Sequence, residues 1–251
     1  MEEKSVSVQA KPWQEYAVIF KELLGLDLSP VAVTLIPGCP QGQPDKKVRI
    51  CRAILEAAAG RILEVGKANN ACFGAGWHLG FHRINDKRVS EMVRKFVVEG
   101  EKLFCSYQAL DNLMAQMEQV PDNADAHFLL APLDKSEVEP AVIIFVGNAE
   151  VACRLLTLVT FQDGWMPKIK IGGPTCRMAI MYPLTTGEVN LSFFDYTARR
   201  LCNVDKDKLL ISIPYKRIAR IVESIDNCSA GKAKIEFPQE FREFLQKRLA
   251  K

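Results

Sequence analysis

Of the eight cysteines in this 251-residue chain, three stand where a turn runs into a helix. Cys51 lies in Val48-Arg49-Ile50-Cys51-Arg52-Ala53, Cys72 in Asn69-Asn70-Ala71-Cys72-Phe73-Gly74-Ala75-Gly76, and Cys176 in Gly172-Gly173-Pro174-Thr175-Cys176-Arg177. A thiol at a helix N-terminus sits in the positive end of the backbone dipole. That favours the thiolate, the form that attacks electrophiles and ligates soft metals. Brought together, Cys51, Cys72 and Cys176 would suit an iron–sulfur cluster or, alternatively, zinc. Their spacing holds neither the tight Cys-x-x-Cys pair of a zinc ribbon nor a ferredoxin run, so tertiary folding has to assemble any shared site. Against this stands the plainer alternative that each is a small buried hydrophobe, as free cysteine commonly is.

Other residues could complete such a site. Cys39, in Pro37-Gly38-Cys39-Pro40, is on a loop that could bring an extra ligand. Cys153, beside Leu155 and Leu156, is expected in the core, while Cys105, Cys202 and Cys228 follow no glycine-rich turn and receive no role. Gly74 and Gly76 would admit close backbone approach, and Gly172 and Gly173 a φ above zero before Pro174. Either pair could aim amide N–H groups at an anion, which makes Gly74 and Gly173 candidate substrate contacts, with tight-turn chemistry as the alternative. Gly74-x-Gly76 lacks the third glycine and the preceding strand of a dinucleotide fingerprint, and no Walker loop exists. Arg199 could clamp a carboxylate or phosphate through its fork, where a surface ion pair is the ordinary alternative. His78 and His82, four apart, would share a helix face, but no glutamate stands between them and Gly80 weakens that helix. They are expected at the surface or in packing, and His127 is expected to be structural.

The elements that must position these residues follow from periodicity and punctuation. Trp13, Tyr16, Ile19, Phe20, Leu23 and Leu24 recur at helical spacing, with Gly25 as a stop. Residues 30–36 predict a strand, residues 50–59 a helix, residues 61–65 a short strand, and residues 89–117 a mainly helical stretch broken near Gly100. The continuous apolar runs 127–133 and 141–146 suit strands covered on both faces. Asn148 should cap a helix to about Thr160. A short helix follows Pro174, residues 190–194 and 209–213 predict strands, and Pro214 should open a helix to about Ile225. A basic amphipathic helix is expected over 238–250. Alternating strands and helices predict an α/β or α+β fold, one compact domain spanning 1–251 with a mixed sheet flanked by helices.

Composition narrows the partners. A hydrophobic content of 48% and a charged content of 25% are those of an ordinary soluble globular chain. A net charge of +3 is too small and too evenly spread for nucleic acid, and Lys46, Lys47 and Arg49 are expected on a solvated loop. Residues 1–5 lack the features of a signal peptide, and the longest apolar run is too short to span a bilayer. The expectation is a cytoplasmic chain with no membrane partner, in a compartment where disulfides are rare. Homo-oligomerisation is left open.

In order along the chain, Val31-Ala32-Val33, Cys51-Arg52-Ala53, Asn70-Ala71-Cys72-Phe73-Gly74-Ala75-Gly76, Phe145-Val146-Gly147-Asn148, Cys176 and Gly187-Glu188-Val189-Asn190-Leu191-Ser192 resemble the domain of unknown function 169 family. Ile213-Pro214 followed by a helix also fits, and the likeness covers roughly 24–225. The resemblance implies a prokaryotic, often anaerobe-associated cytoplasmic protein whose Cys51, Cys72 and Cys176 match family cysteines. Many relatives carry a further cysteine shortly after the Asn-x-Ser strand; this chain has Asp195 there, just before Arg199, which matches a family arginine.

The function expected first is therefore a 4Fe–4S protein with Cys51, Cys72 and Cys176 as ligands and Asp195 or Cys39 as the fourth. Its role would be electron transfer with a redox partner protein, or redox chemistry on a small anionic metabolite near Arg199. Whether it is an enzyme is left open. The alternatives are a cofactor-free module binding an anionic metabolite, with structural cysteines, and, last, a thiol enzyme using Cys176 as nucleophile.

Overall fold

The structure, a computed structural model, describes residues 11–40, 46–82 and 87–249. Its frame is a six-stranded sheet of β1 (Val31–Pro37), β2 (Leu63–Gly66), β3 (Ala126–Pro132), β4 (Val142–Gly147), β5 (Asn190–Ser192) and β6 (Leu209–Pro214). The strands lie in the order β2-β3-β1-β4-β6-β5, and every pair is antiparallel. The mixed helix-and-strand class is as expected, in its α+β form. The sheet itself is antiparallel where a mixed one was expected, because apolar runs report two covered faces and say nothing about strand direction.

Strands β1 to β3 form one half of the sheet and β4 to β6 the other. They meet at a seam between β1 and β4, whose register joins three pairs, Val31 with Ile144, Ala32 with Ile143 and Val33 with Val142. Alternation along each strand separates two cores. Val31, Val33, Phe128, Leu130, Val142 and Ile144 point into one; Ala32, Ile143, Phe145, Ile211 and Ile213 point into the other.

The second core is closed by α1 (Pro12–Leu24), α6 (Ala149–Thr160) and α9 (Ile218–Ser224). Gly25, at φ 60°, ends α1 in a left-handed cap. Asn148 caps α6 as expected, its Oδ1 accepting from the Val151 amide at 3.1 Å. Phe20 of α1 meets Phe145 edge-on at 5.1 Å. The α6 stripe that enters this core is Val151, Ala152, Leu155 and Leu158. Cys153 lies two residues from Leu155, on the opposite side of the helix, and is exposed where core burial was expected.

The first core lies under α2 (Ile50–Ala58), α3 (Phe73–His78), α7 (Tyr182–Thr186) and α8 (Tyr196–Cys202). Between α3 and β3 come α4 (Lys87–Lys95), a π-helical turn over Phe96–Gly100, and α5 (Tyr107–Met114). The chain closes with α10 (Gln239–Leu249). No helix of the described residues is long and apolar enough to cross a membrane.

Candidate functional site

On the α2–α3–α8 face the structure opens a cavity of about 450 Å³. Cys51, Cys72 and Cys176 all line it, together with Asp195, Gly74, Gly173 and Cys202. Three segments far apart in sequence deliver the expected cysteines. Cys51 is the second residue of α2, Cys72 immediately precedes α3, and Cys176 leads into a π-helical turn over Arg177–Met181. Each is thus at a helix start, and all eight cysteines are free thiols.

Local hydrogen bonding explains the placement. Asn70 holds Cys72 from both sides, its Oδ1 accepting from the Cys72 amide at 3.2 Å and its Nδ2 donating to the Cys72 carbonyl at 2.7 Å. Asn69 ties the same turn to β2 through the Gly66 amide and the Glu64 carbonyl. Asn190, fully buried on β5, accepts from the Lys170 amide and donates to the Met178 and Lys170 carbonyls. That bond set anchors the stretch carrying Cys176. Gly172, at φ 97°, makes the left-handed turn there. Gly173 serves close packing instead, since a Cβ on it would meet Met178 at 2.9 Å.

Asp195 is where the sequence placed a prospective ligand, and its carboxylate is already in use. Oδ1 caps α8 by accepting from the Ala198 amide at 2.8 Å. Oδ2 accepts from the Thr175 amide at 2.9 Å and the Thr175 hydroxyl at 2.7 Å, while the Asp195 amide donates back to the Thr175 hydroxyl. Asp195 therefore fixes the residue next to Cys176 rather than standing free. Cys202, at the last position of α8, is buried in the same lining. It was missed because no turn or glycine precedes it, and only the folded seven-residue α8 brings it round.

Two expected contributors are not brought in. Cys39 is exposed and lines no part of the cavity; the adjoining Gly38 is held by the Asp125 carbonyl and by His127, at the far end of β1. Arg199 is likewise absent from the lining. Its guanidinium donates to the carbonyls of Phe193, Asp205, Lys206 and Lys208, the first and last at 2.7 Å. In this structure it closes the loop after α8, with its fork on backbone carbonyls.

Cys51 and Cys176 do not behave as helix-end thiolates. Burial pushes the Cys51 thiol well above its ordinary value, and Cys176, Asp195, Cys202 and Cys72 add to the rise. Cys176 is raised well up in the same way, by burial and then by Cys72 and Asp195, which outweigh two backbone amides acting against them. Desolvation and crowding of like groups defeat the helix dipole here. The four sulfurs and one carboxylate share one electrostatic neighbourhood, but among the described residues no three His, Cys, Asp or Glu side chains close tightly enough to hold a single metal ion.

The rest of the wall is mostly apolar, from Val93, Phe96, Phe104 and Leu110 on the α4–α5 stretch to Phe193 and Trp77. His78, 7% exposed, also lines the cavity. Its Nδ1 has no partner, and burial first, then the charge of Arg177, lowers its pKa to about 3 against a small opposing pull from Asp195. It is a neutral imidazole. The expected pairing of His78 and His82 on one helix face fails because α3 ends at His78. His127 is structural as expected, buried with Nδ1 at 2.9 Å from the Gly38 carbonyl.

The family model described as DUF169, uncharacterised ArCR, matches residues 19–224. The chain belongs to the domain of unknown function 169 family. The match agrees with the expected span of about 24–225 and encloses every thiol of the cavity. This DUF169 chain is also similar to the uncharacterised protein MJ0308 of Methanocaldococcus jannaschii, at 24% identity over 222 residues, covering 85% of this chain and 94% of that one. No solved structure matches the DUF169 chain significantly.

Proposed function

We propose that the protein holds a 4Fe–4S cluster on Cys51, Cys72 and Cys176 and uses it in redox or electron-transfer chemistry, with a small molecule entering the apolar cavity above it. The observation that carries this reading is the convergence of three cysteines on one cavity lining without a disulfide, Cys176 coming from more than a hundred residues beyond Cys51 and Cys72. The donor set is soft, as iron–sulfur ligation requires. Cys202 is better placed than Asp195 as the fourth ligand, because the Asp195 carboxylate serves Thr175 and Ala198. The iron ions would also reverse the local proton balance, drawing the protons off Cys51 and Cys176 to make ligating thiolates, so that the ligated cluster is net anionic.

Such a cluster supplies one-electron transfer. The chain's own residues do the rest. Arg177, buried beside Cys176 with Nε unpartnered, provides fixed positive charge near an anionic centre, and the aromatic wall excludes water. Zinc suits this floor less well, since a tetrahedral ion needs its donors within about 2.0–2.3 Å of one point, whereas a multi-iron cluster spreads them over a larger body. Cys176 as a nucleophile is disfavoured by its retained proton.

The test is anaerobic reconstitution with ferrous iron and sulfide. The expected product is brown, with about four irons and four sulfides per chain, and Cys51→Ser or Cys176→Ser abolishes the absorption while Cys39→Ser leaves it intact. Colourless, iron-free protein would overturn the reading. The size and apolar wall of the cavity favour the second reading, a cofactor-free binding module, under which Cys51→Ser would keep ligand binding and lose only stability.

A further inference from the structure

Beside the cavity lies a second concavity, of about 670 Å³. The two share Arg49 and Cys202 in their linings. Their characters differ sharply. The first is walled mainly by apolar side chains, whereas the second carries Lys46, Lys47, Arg49, Arg52 and Arg61 against two acidic residues, Glu56 and Glu64.

Some of this positive charge is already matched. Arg52 and Arg61 both pair with Glu56, at 3.1 and 2.6 Å. Lys46, Lys47 and Arg49 form no ion pair among the described residues. The two lysines are exposed and Arg49 is half-buried, so the charge lies along the groove and ends at the cavity mouth. The nine-residue α2 begins at the junction, with no side chain capping it and no acidic residue in its first turn, which adds the positive end of a helix dipole. Arg49 lines both the groove and the cavity, so the groove's charge reaches the cavity. Inside the cavity, His78 offers an unpartnered buried nitrogen.

An apolar chamber joined to a cationic groove selects a molecule with the same two parts. One carboxylate would engage a single fork, whereas several unpaired cations in a row suit the multiple oxygens of a phosphate ester or diphosphate. We propose that cavity and groove form one site for an amphipathic organophosphate, its apolar group over the thiols and its phosphates along Lys46, Lys47 and Arg49. The proposal rests on the cavity being the functional site and is independent of which centre the thiols hold.

Calorimetric titration of the full chain, both as isolated and after iron–sulfide reconstitution, tests it with geranyl diphosphate, geraniol and inorganic pyrophosphate as probes. Geranyl diphosphate should bind at least about tenfold tighter than either fragment and weaken as salt is added. Lys47→Gln and Arg49→Gln should each cost about tenfold for geranyl diphosphate and leave geraniol unchanged. Phe104→Ala, in the apolar wall, should weaken geranyl diphosphate and geraniol and spare pyrophosphate. Geraniol or pyrophosphate binding as tightly as geranyl diphosphate would overturn the proposal, as would indifference to both Lys47→Gln and Arg49→Gln. Absorption reads the iron separately, so a colourless protein that still binds geranyl diphosphate refutes the cluster and keeps the organophosphate site.

Discussion

A buried imidazole that stays neutral makes folding depend on acid. Unfolded, His78 takes up a proton near 6.5; folded, it resists protonation until about pH 3. Between those values the unfolded chain binds more protons, so stability falls as pH drops through the window, by at most about 1.4 kcal/mol per pH unit. Arg177 and Asp195 are the charged groups that act on it, the arginine the more strongly. Metal-free protein unfolded with urea at pH 7 and pH 5 should therefore lose more stability than the His78→Gln variant does over the same step. Equal losses would mean that His78 is not held neutral. The residue scale is also where sequence reading was sharpest and most misleading. Helix-start context singled out Cys51, Cys72 and Cys176, and the structure places each at a helix start on one cavity, because turns and caps are local. That context misjudged the protonation of Cys51 and Cys176, which depends on burial and on neighbours that only the folded chain brings close.

At the scale of elements, the surroundings of Cys176 depend on two side chains that bind backbone. Asp195→Ala should cost about 0.5–2 kcal/mol for the lost α8 cap, with a further penalty from the Thr175 partners it strands. Asp195→Asn, which keeps a capping oxygen, should cost less. Arg199→Gln should destabilise by about 1–3 kcal/mol by releasing four carbonyls, while leaving ligand affinity in the cavity unchanged. Urea unfolding and calorimetry on the same variants check both, and lost affinity at full stability would restore Arg199 as a substrate clamp. The elements themselves were largely legible. Gly25, Asn148 and the apolar strand runs act through local backbone preference and alternation, and they fell where expected. That Cys39 and Arg199 lie outside the cavity lining was not legible for another reason: a loop's direction and a guanidinium's partners are properties of the packed chain.

For the whole molecule, the sheet divides labour between its faces. Phe145 is fully buried on the face away from the cavity, and Phe145→Ala should cost about 3–5 kcal/mol. Native protein carrying that change should still take up its ligand, as calorimetry below the unfolding range would show; lost binding would mean that the two cores are not independent. Strand order was the least legible feature, since periodicity reports which faces are covered and not which edges meet.

The seam between β1 and β4 has a consequence in time. Cys51 and Cys72 belong to the half of the chain that supplies the first three strands, Cys176 and Cys202 to the half that supplies the rest. A nascent chain emerging from the ribosome would carry the first pair long before the second exists. An occupant held from both sides would be completely enclosed only after residue 202 is out and β4 has found β1, so the order of the chain would place that closure late in synthesis.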